Sequence, residues 1–158
     1  MLSASPEPFA PFLEEVKPLL HDHWLELALD QERVPLDPQY DVYLERDRRG
    51  EMSVIALRDA GALVGYAVFF VAPGLHYKTC LTATMDIFWT RPEVRGAMGG
   101  VKLFRAAEAE LKRRGVQRMF VGSKCHKDAS FLFERLGYVE VERYYSCWLG
   151  DETRPNAE

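Results

Sequence analysis

No stretch of this sequence approaches the roughly 18 uninterrupted apolar residues of a membrane-spanning helix. The start, Met1 to Pro8, lacks a basic segment followed by an apolar run, so neither export nor membrane insertion is expected. Cysteine is scarce. Cys80, Cys125 and Cys147 are an odd number with no C-x-x-C pair, which argues against a disulfide framework and a structural zinc site and fits a reducing cytoplasm. Basic residues are few and scattered among acids; a net charge of −4 and an isoelectric point near 5.6 leave no footprint for a phosphate backbone. Nucleic acid is not an expected direct ligand. Internal repeats and low-complexity segments are absent as well.

What is present is an ordinary globular composition, 47% hydrophobic and 28% charged over 158 residues, enough for one core and too little for two. We expect a single domain over residues 1–150 and a disordered acidic-polar tail over 151–158. Apolar residues at Phe12, Val16, Leu19, Leu20, Trp24 and Leu27 predict an amphipathic helix from Phe9 to Leu29, divided by Pro18. Tyr40–Leu44, Ser53–Leu57 and Leu63–Val71 read as an antiparallel meander, and Ala72–Lys78 as a loop. Leu81–Trp89 is a further strand. Leu103, Phe104, Ala107 and Leu111 share one face of a helix that Gly115 would stop. Arg118–Gly122 reads as a buried strand, Asp128–Leu136 as a short helix closed by Gly137, and Tyr138–Leu149 as one or two final strands. The sum is a mixed α/β (α+β) domain: a mostly antiparallel sheet with one parallel strand-helix-strand crossover and flanking helices. Ligands favour the carboxyl ends of such strands.

Between the crossover strand and its helix, Pro92-Glu93-Val94-Arg95-Gly96-Ala97-Met98-Gly99-Gly100-Val101 sets an arginine and three glycines before a helix start. Exposed N–H groups there, with the positive end of the helix dipole, make a cradle for a phosphate or pyrophosphate. A flexible turn would carry the same glycines. There is no G-K-S/T ending for a P-loop, and the glycines do not fit G-x-G-x-x-G with a downstream acid.

This segment resembles the pyrophosphate loop of the GNAT N-acetyltransferase superfamily, Q/R-x-x-G-x-G/A after a P-x-x-R-G strand exit. Arg95 and Gly100 occupy its first and last positions, and Met98 stands where the central glycine is expected, with Gly99 next to it as the residue to take over. Downstream, His126, Ala129, Leu132, Phe133, Glu134, Arg135, Gly137 and Tyr138 stand in the places of the family's N-x-x-A-x-x-L-Y-E-K-x-G-F helix. From Leu63 to Leu149 the chain looks like the compact GNAT proteins of tailed bacteriophages. The resemblance implies a GNAT-like fold and transfer of an acetyl group from acetyl-CoA, with no metal, to the primary amine of a protein or small molecule. It also implies cofactor contacts from Ile87, Phe88, Trp89, Arg95, Gly96, Ala97, Met98, Gly99, Gly100, Val101 and Phe133, and a homodimer through the final strands. Phe133 replaces a tyrosine often credited as general acid. The alternative is a catalytically weak module of this fold that docks on a host protein.

Asp86 is an acid in an apolar strand, where an unpaired charge is costly. It either orders a water or the substrate amine, as the resemblance implies nine positions before Arg95, or is paired structurally. His126 is a second catalytic candidate, with helix capping as its other reading. Tyr145 on the last strand is the third, in place of the absent tyrosine. His76 and Tyr77, on the loop before the Asp86 strand, are candidate acceptor contacts, as are His23 and Glu26 in the first helix. His21 and His23 are not expected to hold a metal, since i and i+2 on a helix point apart.

Overall fold

β1 (Leu2–Pro6), β2 (Met52–Asp59), β3 (Ala62–Gly74), β4 (Tyr77–Thr90) and β5 (Arg118–Phe120) form one sheet in sequence order. All neighbours are antiparallel except β4 and β5, which are parallel. This computed structural model describes residues 1–96 and 98–150; Ala97 and the tail 151–158 lie outside the described residues. β2 is buried on both faces from Met52 to Leu57 because helices cover both sides of the sheet.

On one face lies α4 (Gly99–Arg113), the crossover helix between β4 and β5, with α3 (Pro92–Arg95) before it and α5 (Ser130–Arg135) beside it. Leu103, Phe104, Ala107 and Leu111 are the buried face of α4, as their spacing predicts, and they pack on Ile55, Leu57 and Phe69. Gly115, at φ +83°, takes the left-handed stop after that helix. The opposite face is covered by α1 (Phe9–Leu27) and α2 (Tyr40–Arg48), which close over Val54, Ala56, Tyr66 and Val68.

Two departures from regular pairing open the sheet. The β4–β5 ladder spans Thr82–Thr84 against Arg118–Phe120, so from Met85 onward β4 has no strand partner on that side among the described residues. On the other side Val68 faces Ile87 while Phe69 faces Met85, which leaves Asp86 as the extra residue of a β-bulge. The bulge changes the parity of the strand. Ala83 and Met85 belong to the α4 layer and so does Phe88, whereas Ile87 and Trp89 belong to the α1 layer.

Several elements differ from the sequence expectation. Pro18 does not divide α1, because it and Glu14, whose carbonyl it cannot bond, lie on the exposed face, where solvent can take the missing partner's place. Tyr40–Leu44 is not a strand but the start of α2. Its alternating Tyr40, Val42 and Leu44 mimic a period of two, yet Tyr43 is the side chain that packs, stacked on Phe9 at 5.7 Å, while Val42 and Leu44 are exposed. Ion pairs from Arg48 (2.7 Å) and Arg49 (2.8 Å) to Glu45 support the helix. The segment before Phe9 supplies edge strand β1, and Ala72–Lys78 is mostly strand around a tight hairpin where Gly74 pairs with Tyr77. Tyr138–Leu149 carries no strand; Val139, Val141, Tyr144 and Tyr145 are exposed, and the strands expected to join two protomers are not formed.

His23 ties α1 to the sheet. Its Nδ1 is 2.7 Å from the Tyr66 hydroxyl, its ring stacks on Trp89 at 6.2 Å, and burial lowers its pKa to about 4, with Lys124 adding to the shift and Glu26 opposing it. A neutral folded histidine costs stability only when the unfolded chain can protonate. The cost is absent above pH 6.5, grows as pH falls, and is complete below about 4, where it reaches about 3 kcal/mol. His23→Gln removes this dependence. The stability difference between wild type and variant should shrink by that amount from pH 7 to 4 in urea titrations, and a constant difference would contradict the assignment.

Candidate active site

Two cavities meet at the place where β4 loses its partner. The first, of about 460 Å³, lies between α1, the 28–39 loop, α2, β4 from Met85 to Phe88, and Gly122 to Lys124 after β5. The second, of about 400 Å³, lies between Trp89 to Val101 and Lys127 to Arg135. Leu27, Phe88, Lys127 and Ala129 border both. A ligand threaded through the second cavity therefore ends against the first.

The second cavity is built to receive an anion. Lys102 donates to the Met98 carbonyl, so the first N–H groups of α4 point out of its N-terminus; Gly100 and Val101 border the cavity, whereas Gly99 is buried and does not. No acid stands in that first turn, and Arg95, Lys127 and Arg135 add three cations along the wall. Gly99 is required by close approach, since a Cβ there would stand 2.7 Å from the Val94 carbonyl oxygen. Gly96 has open space around it. Met98 itself holds the left-handed conformation at φ +65°, so Gly99 does not take over that role.

Glu26, at the end of α1, reaches into this cavity and gathers its cations. Arg95 binds it through both terminal nitrogens, at 2.6 and 2.8 Å, and also donates to the Thr90 carbonyl. Trp89 Nε1 donates to it at 2.8 Å and Lys127 lies at 3.2 Å. The Arg95 hydrogen bonds, helped by Trp89 and Lys127, hold its carboxyl down to about 2.

Asp86 opens onto the first cavity and accepts a hydrogen bond of 2.5 Å from the Tyr43 hydroxyl. It is accessible to solvent through the cavity, yet the protein packed around it raises its pKa, against the opposing pull of Tyr43 and Arg46. Tyr43 is pushed up by burial and by its bond to Asp86. A carboxylate of raised pKa held by one phenol in a cleft is a candidate proton acceptor.

The other sequence candidates separate. Ile87, Phe88 and Trp89 line the cavities, as do Arg95, Gly96, Met98, Gly100 and Val101, and His23 borders the first one. Phe133 is a core residue, edge-on to Phe104 at 5.0 Å and stacked on Tyr138 at 5.9 Å, and lines neither cavity. His126 is exposed on the turn after β5, and the capping there is done by Asp128 and Ser123, which accept from the Ser130 and Ala129 N–H groups. His76 and Tyr77 sit at the β3–β4 hairpin, remote from Asp86 along β4, where Arg118 lies over the Tyr77 ring at 5.0 Å. Tyr145 is 91% exposed on the segment after α5. None of these four lines either cavity. Tyr43, Lys127 and Arg135 are site residues that pattern reading missed; a period-three pairing of Tyr40 with Tyr43 is the one signal that points to Tyr43. Among the described residues no group of three or more His, Cys, Asp or Glu is placed to hold a metal ion.

Residues 16–138 match the family described as Acetyltransferase (GNAT) family. The fold is similar to that of a ribosomal-protein-alanine N-acetyltransferase from Brucella melitensis biovar Abortus 2308, at 15% identity over 95% of this chain and 100% of that one, with a TM-score of 0.70. A predicted acetyltransferase with acetyl-CoA from Clostridium acetobutylicum is similar at 12% identity over 94% of this chain and 97% of that one, TM-score 0.65. An aminoglycoside acetyltransferase from an uncultured soil metagenomic sample is similar at 14% identity over 95% and 99%, TM-score 0.72. Comparison with curated proteins gives no match.

Met98 generates a test of the loop. A left-handed L-residue costs about 1–2 kcal/mol and glycine avoids it, at an entropic cost of about 0.5–1 kcal/mol. Because Met98 is 43% exposed and gives up little packing, Met98→Gly should leave stability unchanged or raise it by up to about 1 kcal/mol in urea unfolding. A loss of that size would show that its side chain is needed where it stands.

Proposed function

The chain belongs to the acetyltransferase (GNAT) family, and on that premise we propose that it transfers an acetyl group from acetyl-CoA to a primary amine of a protein or small molecule. The observation that carries the reading is the meeting of an anion cradle and a carboxylate-bearing cleft at Phe88, along the stretch of β4 that pairs with nothing on one side. The N–H groups of Gly100 and Val101, with Arg95, Lys127 and Arg135, fit a pyrophosphate. The unpaired backbone of Ile87 to Trp89 fits an amide-bearing arm. Acetyl-CoA supplies an already activated thioester.

The protein's own residues then have three tasks. Asp86 takes the proton of an incoming ammonium, which at a pKa near 10.4 holds it at neutral pH at a cost of about 4.6 kcal/mol. Tyr43 fixes the carboxylate and leaves one oxygen for the amine or a water. Leu27, Phe88 and Ala129 border the junction and keep the two reacting groups in register while limiting water. Free cysteines at Cys80, Cys125 and Cys147 support a cytoplasmic setting.

The docking alternative rests on Met98 and Phe133. Met98 adopts the backbone conformation a glycine would supply, and Phe133 serves the core, so neither substitution argues against catalysis.

Asp86→Asn should lower kcat/KM by about 10²- to 10⁴-fold while leaving CoA binding intact, and should remove the limb on which activity rises with pH as the raised carboxyl ionises. Gly100→Asp should abolish CoA binding in calorimetry, because it sets charge and bulk at the cradle against Leu132. Binding undisturbed by Gly100→Asp would sink the placement of the site. Glu26→Gln should strengthen CoA binding several-fold at low salt and less at high salt, since the carboxylate now competes for Arg95 and Lys127. Unchanged affinity would show that Glu26 does not compete.

A further inference from the structure

We infer, resting on the reading above, that the acceptor is a monoamine carrying a compact apolar body rather than a polyamine or an aminosugar. The first cavity has room for a small ligand, and its walls are mainly hydrocarbon and aromatic: Leu20, Trp24, Leu36, Tyr40, Ile87 and Phe88 border it with Asp86 at one place. Its charged side chains are Asp86 and Asp37 against Lys124 and Lys127, and His23 is neutral at pH 7 because burial lowers its pKa. The lysines stand on the side toward the second cavity, which Lys127 also borders. One ammonium is matched by Asp86. Asp37, the other carboxylate, is exposed on the 28–39 loop at the rim, so a further cation inside the cleft meets hydrocarbon or a lysine, and burying an unpaired charge is strongly unfavourable.

The rim supports the same occupant. Leu29 (53%), Val34 (47%) and Leu36 (39%) are exposed apolar residues that border the cavity from the loop between α1 and α2. Gln31 pins that loop, its Nε2 donating to the carbonyls of Trp24 (3.1 Å), Leu25 (3.0 Å) and Ala28 (3.3 Å). Exposed apolar side chains held around a cleft lose their water when an apolar body enters, which is the driving force such a ligand needs. A protein lysine offers only a narrow stem and brings a polar backbone against that rim.

The full chain with acetyl-CoA should be assayed by thiol release with 2-phenylethylamine, spermidine, kanamycin and a lysine-containing peptide as probes. We expect kcat/KM for 2-phenylethylamine to exceed that of each of the others at least tenfold. Leu36→Glu, on an exposed loop and outside the core, should raise KM for 2-phenylethylamine about tenfold and move the ratio toward spermidine, with CoA binding unchanged. Equal or better turnover of spermidine, kanamycin or the peptide overturns this acceptor class and leaves acetyl transfer standing. Binding of 2-phenylethylamine to the CoA-saturated protein, followed by calorimetry, is the second measurement: no binding overturns the inference even if turnover is slow with every probe. Failure to bind CoA at all overturns the acetyltransferase reading instead.

Discussion

Parallel strands satisfy each other's backbone only as long as they run side by side, and β4 and β5 do so for three residues, Thr82–Thr84 against Arg118–Phe120. Past that point the β4 backbone must find other partners or face a ligand. The crossover helix α4 is fixed by Leu103, Phe104, Ala107 and Leu111 in the core, so it cannot slide over to fill the gap. Both cavities meet where one strand outlasts its parallel neighbour.

The bulge at Asp86 decides what faces that gap. In an unbroken strand, residues 86 and 88 would point the same way. With the extra residue, Asp86 meets Tyr43 in the α1–α2 layer while Phe88 packs on Phe104 at 5.1 Å in the α4 layer. One strand thereby gives a carboxylate to the first cavity and an aromatic wall to the second within three positions. His23, Tyr66 and Trp89 brace the other end of the same layer, which keeps α1 seated although it also lines the cleft.

The fold was legible where burial sets a period. The α4 face, strands β2 and β3 and the stops at Gly115 and Gly137 follow from spacing and glycine chemistry, and the anion cradle follows from Arg95 and the glycines before the helix. Reading failed where tertiary partners override the local pattern. Tyr40–Leu44 alternates like a strand but is held as a helix by Tyr43 packing and Glu45 ion pairs, and with it the partner of Asp86 was lost. β1 and the bulge are set by pairing across distant residues, which no local period encodes. Tyr145 and His126 have suitable chemistry in a chain position that leaves them at the surface.

Glu26 ties the wall shared by the two cavities to the cations of one of them. Its carboxylate stands on Arg95, Lys127 and Trp89 in the second cavity, and the next residue, Leu27, is the last of α1 and borders both cavities. If an anion took the place of this carboxylate on Arg95, the end of α1 would lose that tie, and α1 also walls the first cavity. Linkage is reciprocal, so an amine that prefers the released helix end must tighten the hold on the anion by an equal factor. In the proposed transfer the two substrates would then be partners in one binding equilibrium, joined through a single glutamate.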